Sequence, residues 1–320
     1  MGKRFGAGVL GVGMATTTGL IWGGQWVIGK SALHRVDAFN LTTIRYAIAA
    51  AALLAILVAV EGRAALRLEG QGLRLFGLGT LGFAGFNLLA YKGLDHARPE
   101  SASLITSLGP LLMAFLLWRL GRGRPSRLTL VALVLAVVGV AFVIGRGDPL
   151  NVFRGALGWG DLLVLAGVAG FLVYTVGART VPEFSPLRYT ALTAGFGWLT
   201  IAAVTALADG TGAAQVPSPG DVRAVWLQIA YISLLGAVVA VTTWNIAAQR
   251  IGPQNVALFT NVMPVTTFAI EIARGYHAGA AELGGAGLTI AALVGANVAG
   301  RVPAYRFARG NASQPGYVAR

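Results

Sequence analysis

The sequence predicts an all-α membrane protein, and three observations carry that reading. Hydrophobic residues make up 56% of the chain and charged residues only 12%, against roughly a quarter charged in an ordinary soluble domain. The apolar residues recur in blocks of about 17–22, and at ~1.5 Å per residue each block crosses a hydrocarbon layer of about 30 Å. The second half of the chain also echoes the first at a fixed offset.

Ten blocks read as spans, at 9–29, 39–60, 73–93, 100–118, 128–145, 158–177, 188–207, 225–247, 255–273 and 284–300. The first lacks a signal-peptide cleavage pattern and is expected to be retained. No connection is long enough for a soluble domain, and the longest, "DGTGAAQVPSPGD", reads as an exposed loop. Lys and Arg set the orientation. With the N-terminus inside, 16 of the 25 Lys and Arg fall on the cytoplasmic side and 8 outside, leaving Arg45 within a span. Both termini are therefore expected in the cytoplasm. The same distribution explains the net charge of +13 without nucleic acid, because the basic residues are scattered over short loops. The chain has no Cys, which excludes disulfides, thiolate metal sites and Cys nucleophiles.

A shift of 154 positions lays "ARPESASLITSLGP" (97–110) over "IGPQNVALFTNVMP" (251–264), matching Pro99 to Pro253, Thr106 to Thr260 and Pro110 to Pro264. Five spans per half is an odd number, so the halves must insert in opposite orientations. Inverted repeats recur in secondary transporters, with the binding site where the halves meet. The expected organisation is a first five-helix repeat at 1–150, a second at 151–303, and a cytoplasmic tail at 304–320.

Polar residues inside the spans mark the candidate site. Ser103, Thr106, Ser107 and Pro110 share one helical face, and Thr260, Asn261 and Pro264 repeat it in the other half. Pro110 and Pro264 are expected to kink their helices. In "GLIWGGQWVIGK" (19–30), Trp22 and Trp26 are four apart, with Gln25 between them. They either line a cavity or anchor the helix at the interface, and anchoring fits Trp26 better than Trp22. Asn87, Tyr91, Tyr174, Trp244 and Asn245 are further wall candidates, each equally readable as a packing group. Arg45 either snorkels to the outer surface or binds carbonyls, an acid or a substrate carboxylate within the bundle. Glu271 and Asp161 are the nearest acids by depth.

"IWGGQWVIGK", the Arg45 of "LTTIRYAIAA", and "SLITSLGPLLMAFLLWRLG" with "LVALVLAVVGVAFVI" carry a resemblance. With the second copy, "ALFTNVMPVTTFAIEIARG" and "GGAGLTIAALVGANV", the chain resembles the ten-helix, EamA-like type of the drug/metabolite transporter superfamily. Its pattern is most similar to bacterial exporters of aromatic amino acids. The Gly-Glu pair common after the family's fourth and ninth helices is absent here, where "LGRGRPSR" and "RGYHAGAAE" stand.

The resemblance implies a multi-pass carrier of the bacterial inner membrane, exporting small amphipathic metabolites by alternating access. Its partners would be a small-molecule substrate and the bilayer, as a monomer or weak dimer, with no cofactor and no metal. A membrane-embedded enzyme or a channel-like facilitator is the alternative. Against an enzyme, His34, His96 and His277 lie at loop edges, and neither HExxH nor a Gly-rich phosphate loop is present.

Overall fold

A computed structural model describes residues 2–121, 127–154, 156–292 and 294–295. The expected tail at 304–320 lies outside the described residues. Among the latter there is no strand. The long helices are α1 (Gly2–Ala32), α2 (Ala38–Glu61), α3 (Gly72–His96), α4 (Pro99–Arg119) and α5 (Arg127–Ile144). After a connection come α6 (Trp159–Gly177), α7 (Pro186–Gly210), α8 (Trp226–Ile251), α9 (Asn255–Ala273) and α10 (Ala280–Ala292). Among the described residues, seven helical stretches are long and apolar enough to cross a membrane. α1 is longer than the 9–29 expected from hydropathy, because Gly and Thr dilute its apolar signal without ending the helix.

Local chemistry sets several of the ends. Asp37 caps α2, its carboxylate accepting from the Phe39 and Asn40 backbone N–H groups at 2.9 and 3.1 Å. Gly62 ends α2 at φ +80°, a conformation that costs glycine nothing. Ser185 caps α7 by accepting from Arg188 N at 2.9 Å, with Pro186 in the first turn.

Two helices are locally underwound to π geometry, α3 at Thr80–Gly85 and α8 at Tyr231–Val239. Shifted by 154 positions, the first falls on residues 234–239, inside the second. Packing follows the same relation. α3 lies along α6 as α8 lies along α1, α4 meets α6 as α9 meets α1, and α2 meets α7. Small residues permit these approaches. A Cβ on Gly93 would strike the Gly160 carbonyl, and one on Gly160 the Gly93 carbonyl, so α3 and α6 touch backbone to backbone.

α4 breaks at Leu108, two residues before Pro110, and α9 tightens to a 3₁₀ turn at Leu258–Asn261 just before Pro264. Proline has no N–H, so the carbonyls of Thr106 and Thr260, four residues earlier, lose their helical donors. The outer faces stay apolar: Val131, Val134 and Val137 of α5 and Leu199 and Leu207 of α7 are exposed, as lipid contact requires.

Candidate functional site

Seven helices converge on one central cavity of about 30 Å³. α1 gives Trp22, Gln25 and Trp26; α2 gives Arg45 and Tyr46; α3 gives Phe86 and Asn87. α4 adds Thr106, α6 Phe171, α8 Gly236 and Trp244, and α9 Thr260 and Met263. Both halves of the chain thus contribute to one wall.

Arg45 organises the polar side of the cavity. Its residue is 1% exposed, so the guanidinium turns into the bundle and does not snorkel. Nε donates to the Ile232 carbonyl at 2.9 Å, Nη1 to Asn87 Oδ1 at 2.8 Å, and Nη2 to Gln25 Oε1 at 2.9 Å. The Ile232 carbonyl belongs to the π segment of α8, where the altered helical register frees acceptors for side chains. Asn87 is fully used: its Nδ2 donates to Tyr46 Oη and to the Phe83 carbonyl, each at 2.9 Å. The guanidinium also lies over the rings of Tyr46 and Tyr91, at 5.0 and 5.3 Å. Among the described residues no carboxylate comes within 4.0 Å of it. A buried cation held by neutral acceptors alone leaves its charge uncompensated.

The other side is aromatic. Trp22 meets Phe171 edge-on at 5.6 Å and Trp244 at 5.2 Å, and Phe86 lies 5.3 Å from Phe171. Trp22 Nε1 donates to the Gly236 carbonyl at 2.9 Å, again within the π segment. Trp244 Nε1 is buried with no hydrogen-bond partner among the described residues. Trp26 is 3% exposed and lines the cavity. Neighbouring helices cover the ring, so of the two readings open for Trp26 its placement is that of a wall residue.

Of the remaining sequence candidates, Thr106 and Thr260 line the cavity and the others fall outside its lining. Ser103 and Ser107 are buried, and their hydroxyls donate to the Glu100 and Leu104 carbonyls of their own helix. The Thr106 and Thr260 hydroxyls are spent the same way, on Ala102 and Ala257, although both residues line the space. Tyr91 stacks on Arg45 from behind. Asn261 donates to Leu258, and its Oδ1 has no partner. Asn245 Nδ2 donates to Tyr174 Oη at 3.0 Å and to Thr190 at 2.5 Å. Asn245 also lines a second opening of about 350 Å³, with Thr175, Arg179 and Tyr189. Of the two acids, Glu271 pairs with Arg274 at 3.3 Å, and Asp161 accepts from the Gly158 N–H at 3.0 Å. Neither reaches Arg45.

Residues 9–145 and 158–298 each match the profile of the EamA-like transporter family. The chain belongs to the EamA-like transporter family. It is 29% identical over 291 residues to the uncharacterized transporter YrdR of Bacillus subtilis, covering 89% of this chain and 90% of that protein. It is 29% identical over 263 residues to YyaM of the same organism, covering 82% and 85%. An uncharacterized transporter of Archaeoglobus fulgidus matches at 27% over 256 residues, covering 78% and 84%. A solved crystal structure superposes with a TM-score of 0.66 over 95% of this chain and 99% of that one, at 23% identity, a likeness of fold.

Both family matches are needed to build the cavity. Arg45 and Asn87 come from the first, and Phe171, Gly236 and Trp244 come from the second.

Proposed function

We propose that this EamA-family transporter carries amino acids with aromatic or apolar side chains, and related small metabolites, out of the cytoplasm across a bacterial inner membrane. The observation that carries the reading is Arg45, a buried cation with no carboxylate partner, facing a box of Trp22, Phe171 and Trp244. A substrate carboxylate supplies the missing counter-charge, and an apolar or aromatic side chain fills the opposite wall. The Trp244 N–H offers one further donor to an acceptor on the substrate.

Transport needs no chemical step. Substrate binds between the two repeats, one half rearranges against the other, and the opposite face opens. On this reading the seven apolar helices, the two shorter ones and α1 are ten crossings, and the Lys and Arg distribution supports both termini inside. The helix breaks before Pro110 and Pro264 are the proposed hinges, because each weakens its helix where the halves meet. The Asn245–Tyr174–Thr190 hydrogen bonds are the proposed latch towards the second opening.

The deciding experiment is counterflow in proteoliposomes preloaded with unlabelled phenylalanine. Labelled phenylalanine should accumulate transiently, and competition should rank aromatic and branched amino acids above glycine and above phenethylamine, which lacks the carboxylate. Phenethylamine competing as well as phenylalanine would overturn the role given to Arg45. No accumulation of any amino acid would overturn the substrate class.

A further inference from the structure

Away from the central cavity, α4, α5 and α6 leave a groove of about 200 Å³ on the face turned to lipid. Leu108 of α4, Val137, Val140 and Ile144 of α5, and Leu165 of α6 wall it. Val137, Val140 and Ile144 follow one face of α5, a run of ~10 Å along the helix axis at ~1.5 Å per residue. The groove therefore extends lengthwise from the end of the helices into the hydrocarbon layer.

Its single charged wall residue is Asp161, in the first turn of α6. Asp161 is 6% exposed. One oxygen, Oδ2, accepts from Gly158 N at 3.0 Å, and the other, Oδ1, is buried with no hydrogen-bond partner. The nearby cation, Arg98, is committed elsewhere: it donates to Tyr276 Oη at 2.8 Å, to Glu282 Oε1 at 3.2 Å and to the Val143 carbonyl at 2.5 Å. Trp159, two residues before Asp161, is exposed on the same turn, which is the level at which Trp sits among headgroups. An apolar trough thus begins at headgroup depth beside a carboxylate oxygen that lacks a donor.

We propose that this groove is a lipid site, holding one acyl chain of a phospholipid whose primary-amine headgroup donates to Asp161 Oδ1, the chemistry of phosphatidylethanolamine. The chain covers the leucine and valine walls, and the ammonium satisfies the carboxylate by a charge-assisted hydrogen bond. An anionic headgroup meets the same carboxylate with repulsion. A trimethylammonium headgroup brings charge and has no N–H to donate.

Native mass spectrometry of the full-length protein, titrated with dioleoyl phosphatidylethanolamine, phosphatidylcholine and phosphatidylglycerol, tests this. The ethanolamine lipid should bind at least about fivefold more tightly than the other two, the scale of a charge-assisted hydrogen bond in a dry site. Asp161→Asn keeps an oxygen for the Gly158 N–H and should erase that preference. Ala141→Phe fills the groove from α5 without touching the helix cap, and should weaken all three lipids at an unchanged melting temperature. Equal binding of the three lipids by the native protein, or an ethanolamine preference that survives Asp161→Asn, overturns the headgroup assignment. Lipid binding unaffected by Ala141→Phe overturns the groove. Displacement of the lipid by millimolar phosphoethanolamine, which has the headgroup and no chain, would make the site one for a soluble amine instead.

Discussion

Gln25 on α1 and Arg45 on α2 are joined by a 2.9 Å hydrogen bond from Nη2 to Oε1, a neutral amide standing where a carboxylate would neutralise the cation. That choice keeps the guanidinium fixed while leaving its charge available. Gln25→Glu should reverse it. The new carboxylate pairs with Arg45 inside the bundle, so the melting temperature in detergent should hold or rise. Flux of carboxylate-bearing substrates should fall at least about tenfold, the scale of losing one charge-assisted contact. Undiminished flux in Gln25→Glu would show that substrate does not use this charge.

Arg45 itself makes three hydrogen bonds in three directions, to Ile232, Asn87 and Gln25. A Lys ammonium keeps the charge but not the planar fork that reaches these acceptors together. Arg45→Lys should therefore retain partial flux and Arg45→Ala almost none, at matched amounts of folded protein by size-exclusion chromatography. Near-native flux in both variants would leave the network a purely structural role.

Much of this was legible in the sequence because it rests on period and composition. Apolar blocks gave the helices, and the 154-residue offset joined Pro110 to Pro264. Trp22 and Gln25 announced themselves as costly residues in an apolar span. Arg45 was visible as a charge, but its direction was open, since snorkelling and burial look identical in a linear string. Trp26 was open for a similar reason, because an interfacial ring and a packed ring differ only in their neighbours. The π segments left no trace at all. No residue type encodes an underwound turn, so the carbonyls of Ile232 and Gly236 could not be foreseen as partners of Arg45 and Trp22. The polar stripe at Ser103 and Ser107 was real as a face, yet its hydroxyls bond backwards along their own helix.

The contact between α3 and α6 predicts a pair of contrasting glycine variants. A Cβ at Gly93 would press on the Gly160 carbonyl, while one at Gly77 on the same helix meets nothing within 4 Å. Gly93→Ala should lower stability by about 1–3 kcal/mol, the cost of overpacking. Gly77→Ala should be neutral or stabilise by up to about 1 kcal/mol through helix propensity. Thermal unfolding in one detergent reads both, and equal melting temperatures would deny the backbone-to-backbone packing.

The proposed crossings can be read directly, because the chain has no native Cys to interfere. Ala64 is exposed between α2 and α3, and Val216 is 74% exposed between α7 and α8. In intact cells, an impermeant maleimide should label Val216→Cys and spare Ala64→Cys, and permeabilising the cells should expose both. Labelling of both from outside would break the orientation inferred from Lys and Arg.

The aromatic wall makes the sharpest statement about substrate size. Trp22 touches Phe171 and Trp244 and also donates to the Gly236 carbonyl at 2.9 Å, so it is both a surface and a strut. Trp22→Phe keeps most of the surface and leaves the carbonyl unpaired. It should lower stability by about 1–3 kcal/mol while preserving the preference for large substrates. Trp22→Ala removes the surface as well. The ring provides apolar area worth about 25 cal/mol per Å² buried, plus about 0.5–1.5 kcal/mol for an aromatic partner. Phenylalanine should therefore lose about one to two decades of affinity, and alanine much less. Trp26→Ala should shift the ratio in the same direction, since that ring also lines the space. The control is Trp226, 59% exposed at the end of α8, where Trp226→Ala should leave the ratio of phenylalanine to alanine flux untouched. If Trp22→Ala and Trp26→Ala also leave it untouched in well-folded protein, the aromatic wall does not read the substrate.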